Sequence, residues 1–240
     1  MRPASMSAVW MSPVSMRTAW LALAALTLAI PALAGPDPVA DPVAGPVVQL
    51  DYSNPGLTPS HWVMTLSPDG SGHFRSERGN APMDASQGFQ AADVDRDIKV
   101  SAEFAARVFQ TVHQQKNLAS DCESHLKVAF QGWKKLSYRG PDGTGTCTFN
   151  YAKDKEIQAL GETLVAVAGT ILEGARLEIL LQHDPLGLDR EMDYLMEASG
   201  DGRVQQIIAI RGILERLAQD PEVMDRVRKR ARLLLARANG

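Results

Sequence analysis

Hydrophobic positions along this chain follow three regimes, and each predicts a different kind of structure. Residues 21–30 form an uninterrupted, largely apolar stretch without charge, residues 48–151 carry short alternating stretches, and apolar positions recur at helical spacing from Asp154 onward. The first regime follows Met16-Arg17 and ends in Pro31 and the small residues Ala32-Leu33-Ala34. This layout predicts a signal peptide over residues 1–34, started at Met16 and cleaved after Ala34. The apolar run is too short to cross a bilayer, which takes about 20 residues. Residues 35–47 repeat Asp-Pro-Val-Ala, and proline at that density predicts a stiff linker without a core.

The alternating regime predicts strands and turns. Residues 48–52 alternate weakly, as an edge strand would, while residues 61–67 and 72–77 flank Pro68-Asp69-Gly70-Ser71, a hairpin signal. Trp62 alternates with Met64 and Leu66, which places it in the core, and Trp133 is a candidate aromatic platform. Residues 79–92 have turn composition and predict a loop; residues 95–100 resume as a strand. Ser101 reads as an N-cap, with Phe104, Ala105, Val108, Phe109 and Val112 giving the following helix one apolar face. Residues 126–130 and 135–139 alternate again, and a turn at residues 140–145 leads into residues 146–151, a second hairpin. The two Pro-Asp-Gly turns are near copies, which leaves duplication open.

Residues 154–183 predict one long helix, ended by His183-Asp184-Pro185, with Gly161, Gly169 and Gly174 marking close packing or a kink. Further helices are expected over residues 188–198, 203–218 and 221–238, the last opened by Asp220-Pro221. The expected organisation is an α+β domain over residues 48–183, an antiparallel sheet of hairpins packed on helices. A C-terminal all-helical segment over residues 184–240 follows it or packs on it. The stretch from Asp220 to Leu235 is similar to the second helix of a HEAT-type repeat, which would imply a protein-binding surface. That resemblance spans about one helix pair, and a stack needs at least about three repeats.

Charge changes the picture in one respect. The chain carries a net −3, and residues 202–240 carry nine Lys or Arg against four Asp or Glu. An acidic chain is not a general nucleic-acid binder. The opposed charge of its parts predicts that they dock on one another, or steer a partner. Cys122 and Cys147 are the two cysteines, and an even count on an exported chain predicts one disulfide.

Catalytic grammar is sparse. The chain lacks a Gly-x-Ser-x-Gly elbow, a His-Glu-x-x-His helix and a phosphate loop at a strand-to-helix junction, so no catalytic residue, metal or cofactor is assigned. Asp93, Asp95 and Asp97 open like a calcium loop, but Ile98 and Phe104 stand where that loop needs Gly and Glu. They read as a solvated face. The last helix is the best interaction candidate: Arg226, Arg228, Lys229, Arg230, Arg232 and Arg237 surround an apolar stripe, suiting a protein or an anionic envelope surface. The expectation is an exported, periplasmic or extracellular, non-catalytic binding module of the envelope. The alternative is a secreted hydrolase whose site is assembled in three dimensions from His61, His73 or His125 and nearby acids.

Overall fold

A computed structural model describes residues 45–79 and 93–238. The expected signal peptide, most of the linker and nearly all of the 79–92 loop lie outside the described residues. Six strands form one antiparallel sheet: β1 (Val47–Ser53), β2 (His61–Leu66), β3 (Ser71–Glu77), β4 (Val94–Lys99), β5 (Trp133–Gly140) and β6 (Gly143–Phe149). Their order is β4-β3-β2-β1-β5-β6. Strand β1 is therefore central, not an edge. Its pairing with β5 (Val48 opposite Tyr138, Leu50 opposite Leu136) joins segments far apart in sequence, which local alternation does not report.

The Pro68-Asp69-Gly70 turn forms as its residue types require. Gly70 adopts φ +82, its N–H donates to Ser67 O, and Asp69 Oδ1 accepts from Ser71 N at 3.0 Å. Strands β1 to β4 then run as a meander. Ser101 Oγ accepts from Phe104 N at 3.2 Å and caps α1 (Ala102–Gln114), which carries the chain back to the far side of β1.

The sheet has one covered face and one open face. Leu50, Tyr52, Trp62, Met64, Phe74, Leu136 and Phe149 point inward and share a core with Phe104, Val108 and Val112 of α1. The same core takes in Leu164, Val167 and Ile171 of α2 (Lys155–His183). Asp154 Oδ1 caps α2 by accepting from Glu156 N and Ile157 N. A Cβ at Gly161 would stand 2.9 Å from Phe149 Cζ, so glycine there lets α2 sit close against the sheet.

Helix α2 continues into a second core. Leu177 and Leu180 pack with α3 (Gly187–Asp201), α4 (Arg211–Gln219) and α5 (Asp225–Ala238). The helix expected over residues 203–218 is instead an extended entry, a 3₁₀ turn at Ile207–Ile210 and a short α4. Gln206 takes a left-handed φ of 56, and its side-chain oxygen accepts from Ser101 N at 2.9 Å, which breaks the helix before Ile207. The helix expected from Pro221 begins four residues later, because Asp220 Oδ1 accepts from Glu222 N and forms a separate turn. Further contacts tie the cores together: Arg96 of β4 holds Glu178 of α2 with two bonds of 2.7 and 3.2 Å, and Thr170 Oγ1 accepts from Gln205 N at 3.1 Å.

Candidate functional site

The most distinctive surface lies between α1 and β5, where sequence alternation predicted a strand. Cys122 and Cys147 are joined by a disulfide with Cα atoms 5.6 Å apart, fixing the start of this segment to β6. Ser124 N donates to Tyr151 O, and Lys153 N donates to Cys122 O. Residues 125–131 are then all exposed. No strand forms, since the segment has no inner face: an Asn150 side chain holds it instead of a ladder. Asn150 Oδ1 accepts from Gln131 N at 2.7 Å, its Nδ2 donates to Ala129 O at 3.3 Å, and Tyr52 OH donates to Gln131 O. Gly132, at φ +98, leans on the Tyr52 ring where a Cβ would overlap it.

A buried lysine supports this loop from beneath. Lys134 is 3% exposed, and its Nζ donates to Asn150 O at 3.2 Å while lying 5.8 Å from the Phe149 ring centre. Burial pushes its ammonium below the ordinary lysine value, against the opposing charges of Glu162 and Glu123. The result is a ridge of Leu126, Val128, Phe130 and Trp133, exposed by 63, 39, 51 and 48%. Phe130 meets Trp133 edge-on at 6.1 Å between ring centres. Leu57, 49% exposed, sits in the β1–β2 turn at the same end of the sheet, as the Ser53–Trp133 register requires. Trp133 was legible as an exposed aromatic; the aliphatic part of the ridge was not, because alternation reads alike for a half-buried strand and a doubly exposed loop. Gly132, directly before β5, was the signal that could have separated them.

The open sheet face sets two histidines, His61 and His73, beside carboxylates. His61 Nε2 stands 3.0 Å from Asp51 Oδ1, and His73 lies between Asp95 and Asp97, each 3.0 Å from a ring nitrogen. The Asp97 hydrogen bond, with help from Asp95, raises the His73 pKa above its ordinary value. His125 reaches Asp121 at 3.8 Å, away from the other two. These rings stand on a flat, solvated sheet, and among the described residues neither the His61 nor the His73 ring bonds a hydroxyl or thiol. Clefts of about 280, 340, 570 and 600 Å³ are lined without any histidine. Asp93 accepts from Arg78 N and Asp95 and Asp97 hold His73; no cluster of three His, Cys, Asp or Glu among the described residues is arranged for a metal ion.

On α5 the basic residues meet acids and carbonyls of the chain itself. Arg226 and Arg230 both bind Asp189 of α3, at 2.6 and 2.5 Å, and Arg230 also holds Asp193. Arg228 and Lys229 pair with Asp225, Arg232 donates to Ala218 O, and Arg237 donates to Met196 O and Ser199 Oγ. Arg226 and Arg230 thus dock α5 on acids of α3, whereas Arg228 and Lys229 pair within α5. Arg226 and Lys229 still keep 62 and 69% of their side chains exposed.

A second feature lay hidden among the charges that interrupt the apolar face of α2. Glu191 of α3 is 4% exposed, and its Oε2 lies 3.1 Å from Arg176 Nε. Glu191 Oε1 and Glu173 Oε2 are buried without a hydrogen-bond donor. A protonated Glu173 carboxyl would supply the donor that Glu191 lacks. Burial, with the hydrogen bond and charge of Glu191, pushes Glu173 up to about 8 against the pull of Arg176. No helix among the described residues is long and apolar enough to cross a membrane. No family model matches the chain, and no curated protein is similar to it.

Proposed function

We propose that this chain is an exported, non-catalytic interaction module of the cell envelope. The carrying observation is the ridge of residues 125–133: solvent-facing apolar side chains on a loop fixed by a disulfide, Asn150 and a buried lysine. A surface that displays Leu, Phe and Trp while holding them rigid has the properties of a contact site, because little entropy remains to be lost on binding. The leader-like N-terminus supports export, and a disulfide agrees with an oxidising compartment. The arginine face of α5 serves as a second contact region in this reading, since its side chains remain accessible beyond their internal partners.

The test is to recover the protein from fractionated cells, sequence its N-terminus and titrate its thiols. The reading expects Gly35 as first residue, no free thiol, and retention in the envelope fraction that falls when Phe130 and Trp133 are both changed to Ser. A cytosolic chain with an intact N-terminus and two free thiols overturns it. The hydrolase alternative rests on His73 between two carboxylates. It predicts turnover of a chromogenic ester, phosphoester, glycoside or peptide that disappears in His73→Ala; absence of turnover across that panel removes it.

A further inference from the structure

We infer that the seam between α2 and α3 is a pH-operated latch: with Glu173 protonated, α3 lies closed on α2, and with Glu173 ionised, α3 lifts away while the sheet stays folded. The geometry turns on oxygen atoms that lack donors. Glu191 Oε1 and Glu173 Oε2 are both buried without a hydrogen-bond partner, and Glu191 as a whole is 4% exposed. A protonated Glu173 carboxyl closes that gap by donating to Glu191. Without its proton, two carboxylates share the seam with one guanidinium, Arg176, whose Nε already lies 3.1 Å from Glu191 Oε2. Buried charge without donors is costly, and water reaches these oxygens only if the helices part.

No other group restores the balance. Tyr194 of α3 faces both carboxylates, and Arg203 lies 5.3 Å from its ring centre. Arg203 is matched by Asp201 at 2.7 Å and Glu197 at 3.0 Å, so this group adds no net positive charge. From α5, Arg226 and Arg230 bind Asp189, Arg230 also binds Asp193, and Arg228 pairs with Asp225. From α4, Arg211 pairs with Glu215, and the 3₁₀ turn offers α2 the apolar Ile210 at Gly174. Leu188, Met192 and Leu195 of α3 share the second core with Leu177 and Leu180, whereas the sheet has a core of its own. Opening therefore uncovers that apolar face of α3, while the arginines of α5 keep α3 anchored. Burial and Glu191 push Glu173 up to about 8, so opening releases a proton between its ordinary value of 4.5 and about 8. The open population then rises by up to about tenfold per pH unit across that interval and levels off above it.

Hydrogen–deuterium exchange on the full chain at pH 5, 6, 7, 8 and 9 tests the latch, with rates corrected for the intrinsic pH dependence of amide exchange. Protection of residues 187–201 should fall on the order of a hundredfold from pH 5 to pH 8 and then level, while strands β1 to β5 hold theirs. Glu173→Gln should abolish the fall, and the difference from the parent cancels any contribution of His183 at the end of α2. Glu191→Gln, which offers Glu173 an amide donor and removes the opposing charge, should shrink it and serves if Glu173→Gln does not fold. Tyr194→Phe should leave it unchanged. Protection lost equally from α3 and the strands, no fall, a fall that survives both glutamine variants, or one abolished by Tyr194→Phe overturns the inference.

Discussion

Replacing Glu173 by Gln should flatten the dependence of stability on alkaline pH. In the folded chain Glu173, pushed up to about 8, keeps a proton that an exposed glutamate releases near its ordinary value of 4.5. The native state therefore binds more protons than the unfolded state between those values. Its stability is fully present below about pH 4.5 and is lost as pH rises through about 8. That interval corresponds to roughly 5 kcal/mol, and water entry around the ionised pair would reduce it to about 2–4 kcal/mol. Gln keeps the shape and an N–H donor toward Glu191 Oε1 but does not titrate, so E173Q should match the parent at pH 5. At pH 9 it should exceed the parent by about 2–4 kcal/mol. Urea unfolding followed by circular dichroism at pH 5, 7 and 9 reads the difference directly, and taking it between the two chains cancels the titration of His73 and every surface group. Parallel pH profiles for parent and variant, or a variant destabilised at all three values, would refute the protonated state of Glu173.

Other expectations follow from the same contacts. Cys122→Ser with Cys147→Ser should lower urea stability by roughly 3 kcal/mol and expose residues 125–131 to faster proteolysis, since the bridge fixes the start of that loop. Lys134→Met should leave Asn150 O without its ammonium donor, and trypsin should then cut after Lys127 faster even where global stability is kept. Gly174→Ala should cost about 1–3 kcal/mol, because a Cβ there would overlap Ile210 Cγ2; Ile210→Val should not rescue it, whereas Ile210→Ala, which removes that atom, should recover part of the loss in thermal unfolding.

What sequence revealed and what it hid divide along the distance over which residues act. Ser101 and the Pro68-Asp69-Gly70 turn act on neighbours within a few positions, and each was legible because cap and turn chemistry is local. The long helix α2 was equally plain. The central place of β1 was not, since it depends on β5 arriving after α1. Gln206 ended a helix that the apolar pattern continued, and it did so through Ser101, which lies more than a hundred residues upstream. Residues 126–130 showed the limit most sharply: their alternation was real, but Asn150 and Lys134 decided that it would face solvent instead of a core. The basic residues of α5 were found as a group, and Asp189 as their common anchor was not. Glu173 and Glu191 looked like interruptions, and only the packing of α2 on α3 makes them a pair.

Hydrogen–deuterium exchange on the full chain, with and without membranes isolated from the producing cells, tests the central claim most directly. The account predicts added protection in peptides covering residues 125–133, with the six-stranded sheet unchanged. Protection confined to α5, or none anywhere while the protein remains membrane-bound, would contradict a ridge-centred interaction surface.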